Sequence, residues 1–168
     1  MISSNYVTGW ARAGLFILAI AFIQGRLLCN LFDGMVAVEG GLKSKSGEIY
    51  NELPDRFADL LILVCAGYAE PEYPYSSTLG WAAGSLAVLT AYVRSLGASA
   101  GASQQFCGPM AKQQRMFIAS LACLSAAAKS VTRPNIPVFP IFLAIIIVGC
   151  VVTIARRVIR IVRELESK

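Results

Sequence analysis

Apolar residues gather in long blocks separated by polar stretches marked with glycine and proline, and the polar residues inside the blocks are not scattered. Residues 13–32 form the first block, apolar apart from Gln24, Arg26 and Asn30, all crowded toward its C-terminal end. Residues 47–69 form a second, polar in its first half and purely apolar from Leu60 to Ala69. Pro71 and Pro74 then break the helical pattern. Residues 79–96 make a third block rich in small side chains (Gly80, Ala82, Ala83, Gly84, Ser85, Ala87), a composition that permits close helix packing in lipid. A fourth, 116–128, is short and borrows a turn from 110–115; the fifth, 138–155, is strongly apolar. Blocks of about 20 apolar residues match the length of a membrane-spanning helix, so the pattern predicts an all-α, polytopic membrane helix bundle of about five transmembrane helices. The connections expected are a flexible basic loop over 34–46, a polar loop over 97–115 and a proline turn over 129–137.

Composition agrees with that reading: 56% hydrophobic and 15% charged residues, with a mean hydropathy of +0.61, describe a membrane protein rather than a soluble domain. A chain of 168 residues leaves no room for a further soluble domain, so one membrane-embedded domain is expected. The net charge of +5 comes largely from Arg156, Arg157, Arg160, Arg163 and Lys168, a membrane-flanking run without the interleaved aromatics of a nucleic-acid surface. The polar stretch from Met1 to Trp10 lacks a basic region, and no small-residue cleavage pattern follows the first block, so a retained span is expected and not a signal peptide. Lys43 and Lys45, Lys112 and Arg115, and the C-terminal arginines fall on alternate loops, which puts the 30–59 region at the cytoplasmic face of an inner, cytoplasmic membrane; Lys129 and Arg133 weigh against this.

Five cysteines stand singly with no C-x-x-C pair, which argues against a disulfide framework or a zinc site. The chain has no histidine, so imidazole ligation and histidine acid/base chemistry are excluded. What remains is an unusual run of polar groups in membrane-grade surroundings: Asn30, Asp33, Gly34, Gly47, Asn51, Asp55 and Asp59. Carboxylates at such depth usually face a protein interior or a water-filled cavity and mark function. Asn30 and Asp33 are three apart, and Asn51, Asp55 and Asp59 four apart, so each set lines one helix face. Folded as a hairpin, the two faces would surround a point with oxygens, as Mg2+ or Mn2+ requires. Gly34 and Gly47 would leave backbone open beside that point to a phosphate-bearing ligand. Plainer readings stand beside this one: Asn51 as the N-cap of the second helix with Pro54 in its first turn, Asp33 as a solvated helix-end residue, and Asp59 paired with Arg56 or Arg26.

Asp33-Gly34-Met35-Val36-Ala37 and Gly47, Asn51 and Asp55 resemble the signature of the CDP-alcohol phosphatidyltransferases, D-x-x-D-G-x-x-A-R followed after a gap by G-x-x-x-D-x-x-x-D. The likeness continues through Ala91 to Arg94 and Gly108 to Arg115. Asn30 and Asn51 stand where that family has its first and third aspartates, and Val38 where it has arginine, so the chain is similar to an asparagine-variant branch. The family fold has six helices, and this sequence starts at the equivalent of the second; a missing first helix is the expectation.

The resemblance implies metal-dependent transfer of a substituted phosphate from a CDP-linked lipid to a small or lipid alcohol, releasing CMP. It implies Asp33 as a metal ligand with Asn30, Asn51 and Asp55, Asp55 also as general base, and Asp33, Gly34, Ala37 and Gly47 at the nucleotide. Arg94, Lys112 and Arg115 would hold donor or acceptor phosphates, or contact lipid headgroups. With two carboxylates replaced by amides, a single metal or a weak second one is expected, with Glu39 or Glu52 as compensating ligands. The other readings are a catalytically lapsed CDP-lipid-binding partner protein and a small transporter that uses buried carboxylates. The small-residue third block allows a packed homodimer.

Overall fold

The computed structural model describes residues 2–39, 46–132 and 135–167. Within them the chain is all-helical: α1 (Ile2–Glu39), α2 (Gly47–Tyr68), α3 (Tyr75–Ser99), α4 (Lys112–Thr132) and α5 (Val138–Glu166). The starts of α2 and α5 coincide with the sequence expectation. Helix α1 is longer than its apolar block and carries Asp33 and Gly34 inside it, so the expected loop over 34–46 begins later; residues 40–45, with Lys43 and Lys45, lie outside the described residues, as does Arg133. Two stretches, Thr8–Val36 and Val138–Glu166, are long and apolar enough to cross a membrane.

Chain neighbours are not always packing neighbours. Helix α2 packs on α3, α3 on α5, and α1 on α4, whereas α1 and α2 scarcely touch along their lengths. The α2–α3 contact depends on glycine: a Cβ on Gly80 would lie 2.9 Å from both the Gly67 Cα and the Leu63 carbonyl oxygen, so any side chain there would force the two backbones apart. The core joins Leu63 of α2, Ala83 and Ala87 of α3, Ala122 and Ala126 of α4, and Phe139, Leu143, Ile146 and Cys150 of α5.

One end of the bundle is closed by Glu70, buried at the start of the α2–α3 turn, which accepts hydrogen bonds from Lys129 Nζ (2.6 Å) and the Phe139 backbone N–H (3.0 Å). Beside it, a hydrogen bond from its own backbone N–H, reinforced by Lys129, holds the exposed Glu72 carboxyl below the usual carboxylate range. At the other end the non-helical segment before α4 is pinned to α5. The Met110 backbone N–H donates to Thr153 Oγ1 (3.0 Å), and Gly108 lies against Thr153 at φ +122°, a backbone conformation that favours glycine. That anchor fixes where α4 starts, and so the positions of Lys112 and Arg115.

Candidate active site

At that second end, all five helices bring polar side chains to one cavity of about 450 Å3. Asn30 comes from α1; Asn51, Glu52, Asp55 and Arg56 from α2; Thr90 and Arg94 from α3; Lys112 and Arg115 from α4; and Arg157 from α5. The lining carries five basic side chains (Arg56, Arg94, Lys112, Arg115, Arg157) against two carboxylates, Glu52 and Asp55. Such an excess of buried positive charge calls for an anionic ligand, because unbalanced charge away from water is costly.

Asp55 is the centre of the arrangement. It is buried, its Oδ2 pairs with Lys112 Nζ, its Oδ1 accepts from Asn30 Nδ2 (2.8 Å), and Arg26 Nη2 stands 3.4 Å from Oδ1. One turn further along the same face, Asp59 is 1% exposed and lies outside the cavity lining. Its Oδ1 pairs with Arg26 Nη2 and its Oδ2 with Arg115 Nη2 (3.0 Å). Arg115 also donates to Thr90 Oγ1 (3.0 Å) and the Met110 carbonyl (2.9 Å), which locks it in place while its Nε is left without a partner among the described residues. Arg157 donates to the carbonyls of Cys107 (3.0 Å) and Thr90, and makes no ion pair among the described residues. Arg94 pairs with Glu52 and lies over the Phe106 ring, 5.1 Å from its centroid, a cation–π position. Glu52 is shared with Arg56 (2.9 Å).

A second cavity, of about 460 Å3, fills the space left between α1 and α2. Phe16, Phe22, Ile23, Ile62, Leu63, Phe139, Phe142 and Leu143 are among its walls, and Arg26 is its one charged lining residue. Arg26 Nε and Nη1 are buried with no hydrogen-bond partner among the described residues. Arg26 therefore stands between the two spaces: it lines the apolar one, and its Nη2 faces Asp55 in the wall of the polar one and the buried Asp59.

Of the residues expected from sequence, Asn30, Asn51, Asp55, Arg94, Lys112 and Arg115 meet at the polar cavity. Asn51 is the fifth residue of α2, whose N-cap is Ser46, so the N-cap reading of Asn51 is overturned. Asp33 and Gly34 are not brought in. Residues 31–36 are all exposed because α1 runs out past its neighbours after Asn30. Gly47 opens α2 outside the cavity lining, and the surroundings of Ala37 and Glu39 lie outside the described residues. Asp59 pairs with Arg26, one of the two partners expected, and with Arg115, which was not expected. Sequence reasoning missed Arg157, placing it in an anchoring run. The signal was there: Leu143, Ile146, Cys150, Thr153, Arg157 and Ile161 recur at helical spacing and form the buried face of α5, unlike Arg156, Arg160 and Arg163. The sequence offers Arg26 only as a partner for Asp59; its contact with Asp55 and its place in the apolar cavity wall depend on how the helices pack.

A divalent cation of the Mg2+ or Mn2+ kind takes several hard oxygen donors at one point. Here both oxygens of Asp55 are engaged by cationic and amide donors, Asn30 turns its NH2 group toward Asp55, and Asp33 is exposed one turn away. Among the described residues no group of three or more Cys, Asp or Glu side chains comes together as a metal site. As arranged, these residues do not fit a divalent cation.

Comparison of the chain with protein-family models, with curated proteins and with solved structures finds no match.

Proposed function

We propose that the chain is a membrane-embedded phosphotransferase similar to the CDP-alcohol phosphatidyltransferases, which moves a substituted phosphate from a CDP-linked lipid to an alcohol and releases CMP. The observation that carries this reading is a cation-rich cavity beside an apolar one, linked by the contact of Arg26, in the wall of the second, with Asp55, in the wall of the first. An amphiphilic phosphate ester has the matching halves: phosphates for Lys112, Arg94, Arg115 and Arg157, and an acyl chain for the space between α1 and α2.

In the proposed reaction the acceptor hydroxyl oxygen attacks the lipid-side phosphorus, the bond from that phosphorus to the CMP oxygen breaks, and Asp55 takes the hydroxyl proton. Lys112 and the arginines offset the charge that develops on the departing CMP. Large apolar side chains exposed along α1 (Leu15, Leu18, Phe22) and α5 (Ile145, Val148, Val151) support a bilayer around the bundle, and we propose that all the helices belong to it, with the polar cavity at the cytoplasmic face.

The Lys112–Asp55 ion pair favours a second reading, a binding protein that holds the CDP-lipid without turning it over. Purified full-length protein incubated with a CDP-linked lipid and a panel of alcohols separates the two. CMP release that depends on Asp55 supports transfer; CDP-lipid binding with no CMP release across the panel supports the second reading; neither binding nor release overturns both.

A further inference from the structure

We propose that Lys112 is the resident cation of this site: its ammonium, paired with an Asp55 that Asn30 holds by its other oxygen, does the charge-neutralising work that a divalent metal would do between carboxylates. The starting observation is which atoms touch. Asn30 Nδ2 donates directly to Asp55 Oδ1 at 2.8 Å, and Lys112 Nζ takes Oδ2. An aspartate at position 30 would face Asp55 with like charge, an arrangement that calls for a shared proton or a cation between the two. An asparagine needs no such bridge, because its amide is itself a donor to the carboxylate. The amide orientation follows from the same contact, since the only group of Asn30 that can bond an ionised carboxylate is its NH2.

Three further features agree. Lys112 is the first residue of α4, held there by the Met110–Thr153 contact, so its ammonium is delivered from a fixed backbone position. Arg26, 3.4 Å from Asp55, adds a second positive charge on the side away from Lys112. Asp33, the other carboxylate that a metal would call on, is exposed. The asparagine at position 30 and the lysine at position 112 thus form one unit: the amide replaces a repulsive pair with a hydrogen bond, and the ammonium supplies charge for a phosphate. Arg94, Arg115 and Arg157 complete a phosphate cradle built from side chains alone.

The inference rests on the proposed phosphotransferase reading only for the identity of the phosphate ligand; the cation assignment is tested without it. Mn2+ binding to the purified full chain in detergent is followed by electron paramagnetic resonance, for the natural sequence, Asp55→Asn, and the double variant Asn30→Asp with Lys112→Met. The expected result is that the natural chain binds Mn2+ no better than Asp55→Asn does, whereas the double variant gains at least about tenfold in affinity, the scale on which altering a metal's surroundings acts. Mn2+ binding by the natural chain that falls at least about tenfold on Asp55→Asn overturns the inference.

If the double variant fails to fold, the natural chain decides alone. CDP binding unchanged in EDTA, together with Mn2+ binding insensitive to Asp55→Asn, supports the inference; CDP binding lost in EDTA and restored by Mn2+ overturns it. CMP release that requires Mn2+ would likewise overturn the resident-cation assignment while leaving the transferase reading intact. Absence of both CDP binding and CMP release would remove that reading, and the Mn2+ comparison would still stand.

Discussion

Asp55 and Asp59 sit one turn apart on the same face of α2 and draw on overlapping sets of cations, yet they are built for different work. Asp59 is sealed: each oxygen has an arginine, one of those arginines is itself 2% exposed, and Asp59 is not in the lining of the polar cavity. Asp55 is also buried, but it faces the polar cavity, and its partner Lys112 is a flexible ammonium with a fifth of its side chain exposed (21%). A rigid arginine fork fixes geometry, whereas a lysine can leave its partner for an incoming phosphate. The difference shows that a carboxylate in a membrane-grade helix is read by what holds it. The one closed by arginines is built into the fold, and the one left beside an opening is the one we propose for the chemistry.

The largest expected effect breaks this pair from the functional side. Asp55→Ala should lower CMP release by about 10²- to 10⁴-fold, the usual contribution of a general base, while CDP-lipid binding persists. Full activity in that variant would remove Asp55 from the reaction. Next comes the structural side: Asp59→Ala leaves Arg26 and Arg115 without their carboxylate in a buried site, which should destabilise the protein by about 3–5 kcal/mol. Thermal unfolding in detergent measures it, and a loss no larger than that of Asp55→Ala would collapse the distinction.

Arg94→Ala sharpens the comparison at the cavity rim. Removal of a charged donor there should weaken phosphate-ester binding by about 1.5–3 kcal/mol, read as a rise in KM with kcat little changed. The smallest effect lies at the far end of the bundle. The Glu72 carboxyl is held below its ordinary value, so it contributes stability above the unfolded-state pKa that is lost as pH falls through the folded one. Acidification should therefore lower the thermal midpoint slightly more in the natural protein than in Glu72→Gln, and the same slope in both would remove that contribution.

Much of this was legible in the sequence. Block lengths and prolines gave the helices, with α2 beginning at Gly47 and α5 at Val138 as expected, because apolar periodicity and chain breakers are local signals. Asn30 and Asp55 were also recognisable as one site, since each is polar at helical spacing in an apolar stretch, while Lys112 and Arg115, in a polar stretch, joined it only through the family resemblance. Less visible was anything decided between helices. Asp33 shares a helix face with Arg26, seven residues away, yet α1 outruns the bundle there, and spacing along one helix does not say where its neighbours end. The expected hairpin of α1 on α2 is met only at the polar end, where Arg26 and Asn30 reach Asp59 and Asp55; elsewhere α1 packs on α4, and the space between α1 and α2 is a cavity. Arg157 was hidden by its company among exposed arginines and emerges only from the buried periodicity of α5.

The central claim, that the cavity around Asp55 accepts a CDP-linked lipid and transfers its phosphate, is met most directly by following CMP release from such a lipid by the purified full chain. Release should appear with an alcohol acceptor present and disappear in Asp55→Ala. CMP release at the same rate in Asp55→Ala, or none from the natural chain with any acceptor, would contradict the account.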